Sequence, residues 1–270
     1  MDRSVLVGKR SGALAQRLRE HAELLTTALR SPENLGTFGN DLIARTLLER
    51  LCQPGGVFLD VGAHIGSVID GVRRYSKPAK VIAVEAIPAK VTALRAKFPD
   101  VEIHGCAVGD ADGELPFFID PAHSGYSSLF QREGAAARLQ EIVVPIRRLD
   151  DLLGTESPDV VKIDVEGAEL AVLRGAAAVI RRARPTIMFE SGPEEMGDFT
   201  KAAMWEWLDA AGYAVLIPNR VAHQDPGLSR EGFLEAHLYP FRTTNYFAVA
   251  RDRRDEIMLR ARDILGLGPR

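Results

Sequence analysis

The chain of 270 residues has only two cysteines, Cys52 and Cys106, both in apolar surroundings. That scarcity excludes a disulfide-stapled secreted scaffold and predicts two small buried hydrophobes in a reducing cytoplasm. No apolar run approaches the ~18 residues of a membrane-spanning helix. The amino terminus, MDRSVLVGKR, lacks the long apolar core of a signal peptide, which predicts a cytoplasmic protein without a membrane partner. An excess of charge of one sign is also missing. Against 37 acidic residues stand 34 basic ones, a net charge of −3, with no clustered basic footprint for nucleic acid. No His/Cys spacing suggests zinc, and there is no internal repeat or low-complexity segment.

What is present centres on residues 57–66, VFLDVGAHIG. Val57, Phe58, Leu59 and Val61 make an apolar run around Asp60, Gly62 and Gly66 follow, and a helix-compatible run begins at Ser67. A buried strand, a glycine-bearing turn and a helix start are predicted, with the glycines giving the backbone close access to a ligand. A second apolar run, VIAVE, ends on Glu85, placed to accept hydrogen bonds from two ribose hydroxyls. Two nucleosides compete for such a unit. A dinucleotide wants Gly-x-Gly-x-x-Gly facing its pyrophosphate. Here the middle glycine is absent, and Asp60 precedes the turn, which suits the cationic S-adenosylmethionine better.

Taken in order, the pattern predicts a helix over 11–30 (Leu14, Leu18, Leu25, Leu29), outside the nucleoside unit. A short glycine-bearing loop over Asn34 to Asn40 then lines the cleft, and a helix from about Asp41 to Leu51 is capped by Asn40 or Asp41. Strands are predicted at 57–61, 81–85, 101–108, 115–119, 142–146, 160–164, 186–190, 213–217 and 245–250. Helices are predicted at 67–75, from Pro88, at 149–153, 167–182, 200–211 and 251–265. This alternation makes an α/β fold, a doubly wound and mostly parallel sheet with an antiparallel edge strand. Three parts are expected: a helical extension over 1–35, the ligand-binding domain over 36–252 with acceptor-side insertions at 120–140 and 191–244, and a closing helix over 253–270.

In such sheets the ligand lies outside the carboxyl ends of the strands. There the sequence puts Asp60 and His64, then Glu85, then Ala107 and Asp110, then Asp164 and Glu166, then Glu190 and Ser191. An unpaired buried carboxylate costs several kcal/mol or shifts its pKa, so acids ending otherwise apolar runs point to a site. In KIDVEG, alternation brings Lys162, Asp164 and Glu166 to one side, while Glu166 alternatively only favours the positive N-terminus of the next helix. Asp164 with Glu190 offers hard oxygen ligands for Mg²⁺.

The motifs VFLDVGAHIG, VIAVEAIP, CAVGDADGELPFF, SGYSSL, RRLDDLL, VVKIDVEGAELAVLRGA and RPTIMFE, in this order over about residues 36–192, resemble the FkbM-type methyltransferases. The resemblance implies a Rossmann-like class I methyltransferase sheet of seven strands with the last antiparallel. It also implies S-adenosylmethionine as donor and transfer to a hydroxyl, on a sugar or natural product. By motif, Asp60, Gly62, Ala63, His64 and Gly66 would hold the methionine part, Glu85 and Ala86 the ribose side, and Cys106, Ala107 and Val108 the adenine side. Asp164 and Glu166 would face the reacting end. His64 stands where the family commonly has Asn, and Ala86-Ile87 replaces its commoner Pro-Asn. A hydroxyl must lose its proton, and Asp164, Glu166 and His64 are the candidate bases, with His123, His223 and His237 as outsiders. Tyr126, Trp205, Trp207, His223, His237 and Tyr239 are candidate acceptor walls. An NAD-dependent oxidoreductase remains the alternative, lacking its Tyr-x-x-x-Lys pair, as does a non-catalytic nucleoside-binding protein. Base methylation is disfavoured, because KIDVEG stands where Asn/Asp-Pro-Pro-aromatic would follow strand four.

Overall fold

The computed structural model describes residues 22–119, 140–192 and 200–268, together with Val7 and Arg19. Mostly apolar runs of four to six residues supply β1 (Val57–Val61), β2 (Lys80–Glu85), β7 (Val160–Ile163), β8 (Thr186–Glu190), β9 (Tyr213–Leu216) and β10 (Asn245–Ala250), while β3 (Glu102–Gly105) buries Ile103 alone. They form one seven-stranded sheet in the order β3-β2-β1-β7-β8-β10-β9. Neighbours from β3 to β8 pair in parallel, and β10, the last in the chain, runs antiparallel to both β8 and β9.

Period two along each strand divides the core between the two faces. Leu59, Val61, Ile82, Val84, Val161, Ile163, Ile187 and Phe189 pack on one side with Leu170, Leu173, Ile180 and Leu208. Phe58, Val81, Ala83, Val160 and Met188 pack on the other with Leu47, Leu48, Ile69, Leu94, Ile257 and Ala261. Each large apolar side chain enclosed this way contributes about 1.5–3 kcal/mol. The helices α1 (Leu35–Leu51) and α9 (Arg254–Leu265), from beyond the nucleoside unit, thus share the second face with α2 (Ser67–Tyr75), while α7 (Lys201–Ala210) packs on the first.

Several sequence expectations change here. The segment from Asn34 to Asn40 is not a loop lining the cleft. A 3₁₀ turn over Pro32–Asn34 leads straight into α1 at Leu35, so Gly36 and Gly39 are helical. Asn40 is no cap: its side chain donates to Arg242 O at 2.8 Å and accepts from Asn219 N at 3.1 Å, pinning two distant loops to the helix. Of the expected N-terminal helix, residues 22–30 are helical, with Leu25 and Leu29 exposed; Leu14 and Leu18 lie outside the described residues.

The third strand and its exit, expected over 101–108, divide at Cys106, after β3 ends at Gly105. Beyond it β4 (Ala107–Val108) leaves the large sheet and pairs in parallel with β6 (Gln140–Arg147), which also pairs antiparallel with β5 (Gly113–Ile119). The helix expected over 167–182 is two: α5 (Glu169–Gly175) and α6 (Ala177–Ala183). Gly175 marks the joint because a Cβ there would lie 1.9 Å from Gly109 O. Asp150, in α4 (Leu149–Leu153), accepts from the amides of Ala178 and Val179 at 3.1 and 2.9 Å, so the acid of RRLDDLL serves as the cap of α6. The stretch 218–244 contains a 3₁₀ turn at Pro218–Arg220 and α8 (Arg230–Glu235). No helix among the described residues is long and apolar enough to cross a membrane.

Candidate functional site

Chain order reverses between β1 and β7, and a cleft of about 310 Å³ opens at the carboxyl ends of the strands there. Its lining includes Gly62, Ala63 and His64 after β1, Glu85 and Ala86 after β2, and Cys106, Ala107 and Val108 at the break toward β4. Lys162, Asp164 and Glu166 come from β7 and its exit, and Lys90 from α3 (Pro88–Lys97). The residues predicted at the strand ends therefore converge, apart from Asp60, Gly66, Asp110, Glu190 and Ser191, which do not line this cleft.

The glycine turn is shaped by protein contacts. Gly62 has φ +83°, and a Cβ there would fall 1.9 Å from Asp164 O, so its bareness lets the exits of β1 and β7 touch. Gly66, φ +82°, makes room for Phe98 and Leu94 rather than for a ligand. The amides of Gly62 and Ala63 both donate to Val84 O, at 2.9 and 3.0 Å, locking the turn to β2. His64 has φ +51°. Histidine and asparagine are among the few non-glycine residues enriched in that region, which accounts for His64 where Asn is commoner.

Glu85 ends β2 nearly buried, and both carboxylate oxygens are fixed by backbone donors: His64 N to Oε2 and Ile87 N to Oε1, each 2.9 Å. Burial pushes its pKa up, and the two amides and the lysines Lys90 and Lys162 pull against that. Each oxygen retains a lone pair for a further donor from the cleft. Cys106 and Cys52 are buried free thiols, pushed by burial to about 11 and about 12.

Asp60 is fully enclosed in β1, directly beside Lys162 in the register of β7. Lys162 Nζ lies 3.4 Å from Asp60 Oδ1, and no hydrogen-bond donor reaches either Asp60 oxygen among the described residues. Asp60 therefore meets a protein cation where a cationic ligand was expected to sit. Burial raises the Asp60 pKa and Lys162 opposes the rise. The same ammonium lies 3.2 Å from Asp164 Oδ2 and donates to Gly62 O at 2.7 Å. Burial disfavours the charge on Lys162, yet Asp164 and Asp60 together hold its pKa above the usual lysine range.

The exit of β7 turns back on itself through Glu166 (φ +57°) and Gly167 (φ +106°). Glu169, at the start of α5, accepts from the amides of Val165 and Gly167 at 3.1 Å and fixes that turn. The role of acid at the helix N-terminus, allowed above for Glu166, belongs to Glu169. Glu166 is left in the cleft wall, where Asp164, Glu166 and Glu190 each present an oxygen within 4.8 Å of the others. Burial and the neighbouring Asp164 push Glu190 to about 10, so it is protonated near neutrality and hydrogen-bonded to Asp164. Burial would raise Asp164, but Lys162 and the bond with Glu190 hold it below the usual carboxylate range.

The remaining histidines and aromatics stand elsewhere. His237 is buried, with Nδ1 2.8 Å from Phe233 O and Nε2 2.8 Å from Ser191 Oγ. The His223 carbonyl accepts from Arg254. Trp205 donates to Leu228 O, Trp207 packs on the core, and Tyr239 donates to Glu33; none of them lines the cleft. His123 and Tyr126 lie outside the described residues. Sequence reasoning gave no task to Lys162, Glu169 or Lys90. For Lys162 there was a signal, a lysine inside an apolar strand, since an interior ammonium must have partners.

Residues 60–215 match the Methyltransferase FkbM domain family. "Methyltransferase 1" of Beauveria bassiana is 28% identical over 184 residues, covering 59% of this chain and 72% of that protein. "Methyltransferase sdnD" of Sordaria araneosa is 29% identical over 161 residues, 45% of this chain and 61% of that one. Among solved structures, the methyltransferase FkbM from Methylobacillus flagellatus is 16% identical with a TM-score of 0.45, over 72% of this chain and 43% of that chain. With the match running from Asp60 through the glycine turn, β2, β7 and its exit to β9, the chain belongs to the FkbM methyltransferase domain family.

Proposed function

We propose that the protein is an S-adenosylmethionine-dependent O-methyltransferase acting on a hydroxyl of a small molecule, a sugar or a natural product. The observation that carries this reading is Glu85, oriented by two amides with lone pairs left for the cleft, in a cleft that Asp164 and Glu166 also line, with Glu190 behind them. S-adenosylmethionine would supply an electrophilic methyl group and leave as the neutral thioether. Glu85 suits its two ribose hydroxyls, and the wall at Cys106, Ala107 and Val108 suits a flat apolar base.

At the other end Asp164 is the ionised member of the acid set and is open to the cleft. As the acceptor oxygen forms its bond to carbon and the carbon–sulfur bond breaks, the acceptor's proton passes to Asp164, which keeps its hydrogen bond from protonated Glu190 and faces Glu166. Much of the acceleration comes from holding the acceptor in line, and a rigid acid set that accepts several hydrogen bonds favours a polyhydroxylated acceptor. His64 is the second candidate base on the same wall.

Asp164, Glu190 and Glu166 also form a set of hard oxygens suited to Mg²⁺. Incubation with methyl-labelled donor and a metabolite extract, followed by mass spectrometry of the labelled product, tests the reaction. A labelled small-molecule methyl ether is the expected result, and label recovered on amines or on nucleic acid contradicts it. Repeating the reaction with EDTA separates a metal-assisted from a metal-free transfer.

A further inference from the structure

Lys162 has no part in the chemistry just described, yet its ammonium joins the end of β1, the Gly62 turn and Asp164 at the exit of β7. It meets Gly62 O at 2.7 Å, Asp164 Oδ2 at 3.2 Å, and Val61 O and Asp60 Oδ1 at 3.4 Å each. The side chain is 6% exposed, Asp60 is 0% exposed, and Asp164 is 36% exposed. The contacts therefore run from a charge that only the protein sees to one that a bound molecule meets. Stability does not explain such an arrangement, because a buried ion pair replaced by apolar residues of similar volume is often neutral or better. Geometry does. Asp60 and Lys162 are register partners on β1 and β7, and alternation carries Asp164 to the same face two residues on.

We propose that Lys162, held from beneath by Asp60, is a positioning residue for methyl transfer. It fixes the Asp164 carboxylate at the reacting end of the cleft and ties it to the Gly62 turn. Asp60 is then the counter-ion of Lys162 and no ligand of the donor. This rests on reading the cleft as a methyl-donor site.

The test uses the Asp60→Asn/Lys162→Met double variant, which removes both charges together, with Asp60→Asn, Asp164→Asn and the triple variant beside it. Melting, S-adenosylhomocysteine affinity by calorimetry, and transfer from labelled S-adenosylmethionine at saturating concentration into the metabolite extract are measured for each. The double variant is expected to fold, to bind S-adenosylhomocysteine within about threefold of wild type, and to transfer methyl at least about tenfold more slowly, as misplacement of a reacting group costs. Asp60→Asn, which removes the charge beneath Lys162 but leaves its ammonium beside Asp164, should slow transfer less than the double variant does, and the triple variant should be no slower than Asp164→Asn, because one lost function cannot be lost twice. Wild-type transfer by the double variant overturns the proposal. So does a double variant that fails to fold, or a triple variant clearly slower than Asp164→Asn. Wild-type protein that binds no S-adenosylhomocysteine removes the donor reading itself, before any variant is compared.

Discussion

At the scale of single residues, the site is governed by what a buried charge requires. Asp60 ends up without a hydrogen-bond donor and is tolerable because Lys162 stands 3.4 Å away. Asp164 has the same cation, but on the side open to the cleft. Asn at position 164 keeps an oxygen for Lys162 and loses the capacity to take a proton. Asp164→Asn should therefore spare donor affinity and lower turnover by about 10²-fold or more. Calorimetry beside a rate at saturating donor checks it, and full turnover would take Asp164 out of the chemistry. Gly62→Ala is a different kind of change. A methyl group 1.9 Å from Asp164 O, at φ +83°, combines overpacking with an unfavourable backbone. The cost is on the order of 3 kcal/mol, a melting point lower by roughly 6–12 °C. An unshifted melt would show that the β1 and β7 exits do not touch as described.

At the scale of elements, much was legible because strands and their ends leave local marks. Apolar runs closing on Asp60, Glu85, Asp164 and Glu190 located β1, β2, β7 and β8, and two of these acids, Glu85 and Asp164, stand in the cleft wall. What was not legible depends on partners far along the chain. Lys162 and Asp60 are register neighbours across about a hundred residues, and neither announces the other. Gly36 and Gly39 depress helix propensity, so their stretch reads as a loop, but Leu47, Leu48 and Leu51 anchor the same helix in the core and carry it back to Leu35. The break between α5 and α6 follows from Gly109 packing on Gly175 and from the Asp150 cap, contacts between distant segments. Asp150→Ala should cost about 0.5–2 kcal/mol, as loss of a helix cap does. Thermal melting reads that loss, and donor affinity should stay unchanged, because the cap lies away from the cleft wall.

At the scale of the whole molecule, burial of acids sets the response to pH. Asp41, Asp60, Glu85, Glu169 and Glu190 all have carboxyl pKa values raised on folding, in each case first by burial. A group with a raised folded pKa contributes stability that is fully present below its unfolded value and is lost as pH rises through the folded one. For Glu190 that window runs from the ordinary 4.5 to about 10. Asp164 acts in the opposite sense, losing stability only as pH falls below the carboxylate range. The melting temperature should therefore decline from mildly acidic to alkaline pH. Glu190→Gln, which mimics the protonated acid, should make the decline shallower. A steeper decline in that variant would contradict the assignment of the shared proton to Glu190.

The claim on which the rest stands is that Glu85, held by the amides of His64 and Ile87, grips the sugar of a methyl donor. Glutamine at that position puts an NH₂ against one of those two amide donors and removes the charge, a loss of about 1.5–3 kcal/mol. The direct measurement is a calorimetric titration of wild type and Glu85→Gln with S-adenosylhomocysteine. One molecule bound per wild-type chain, and affinity at least about tenfold weaker in the variant, is the predicted result; no binding to wild type, or equal affinity in the two proteins, would contradict it.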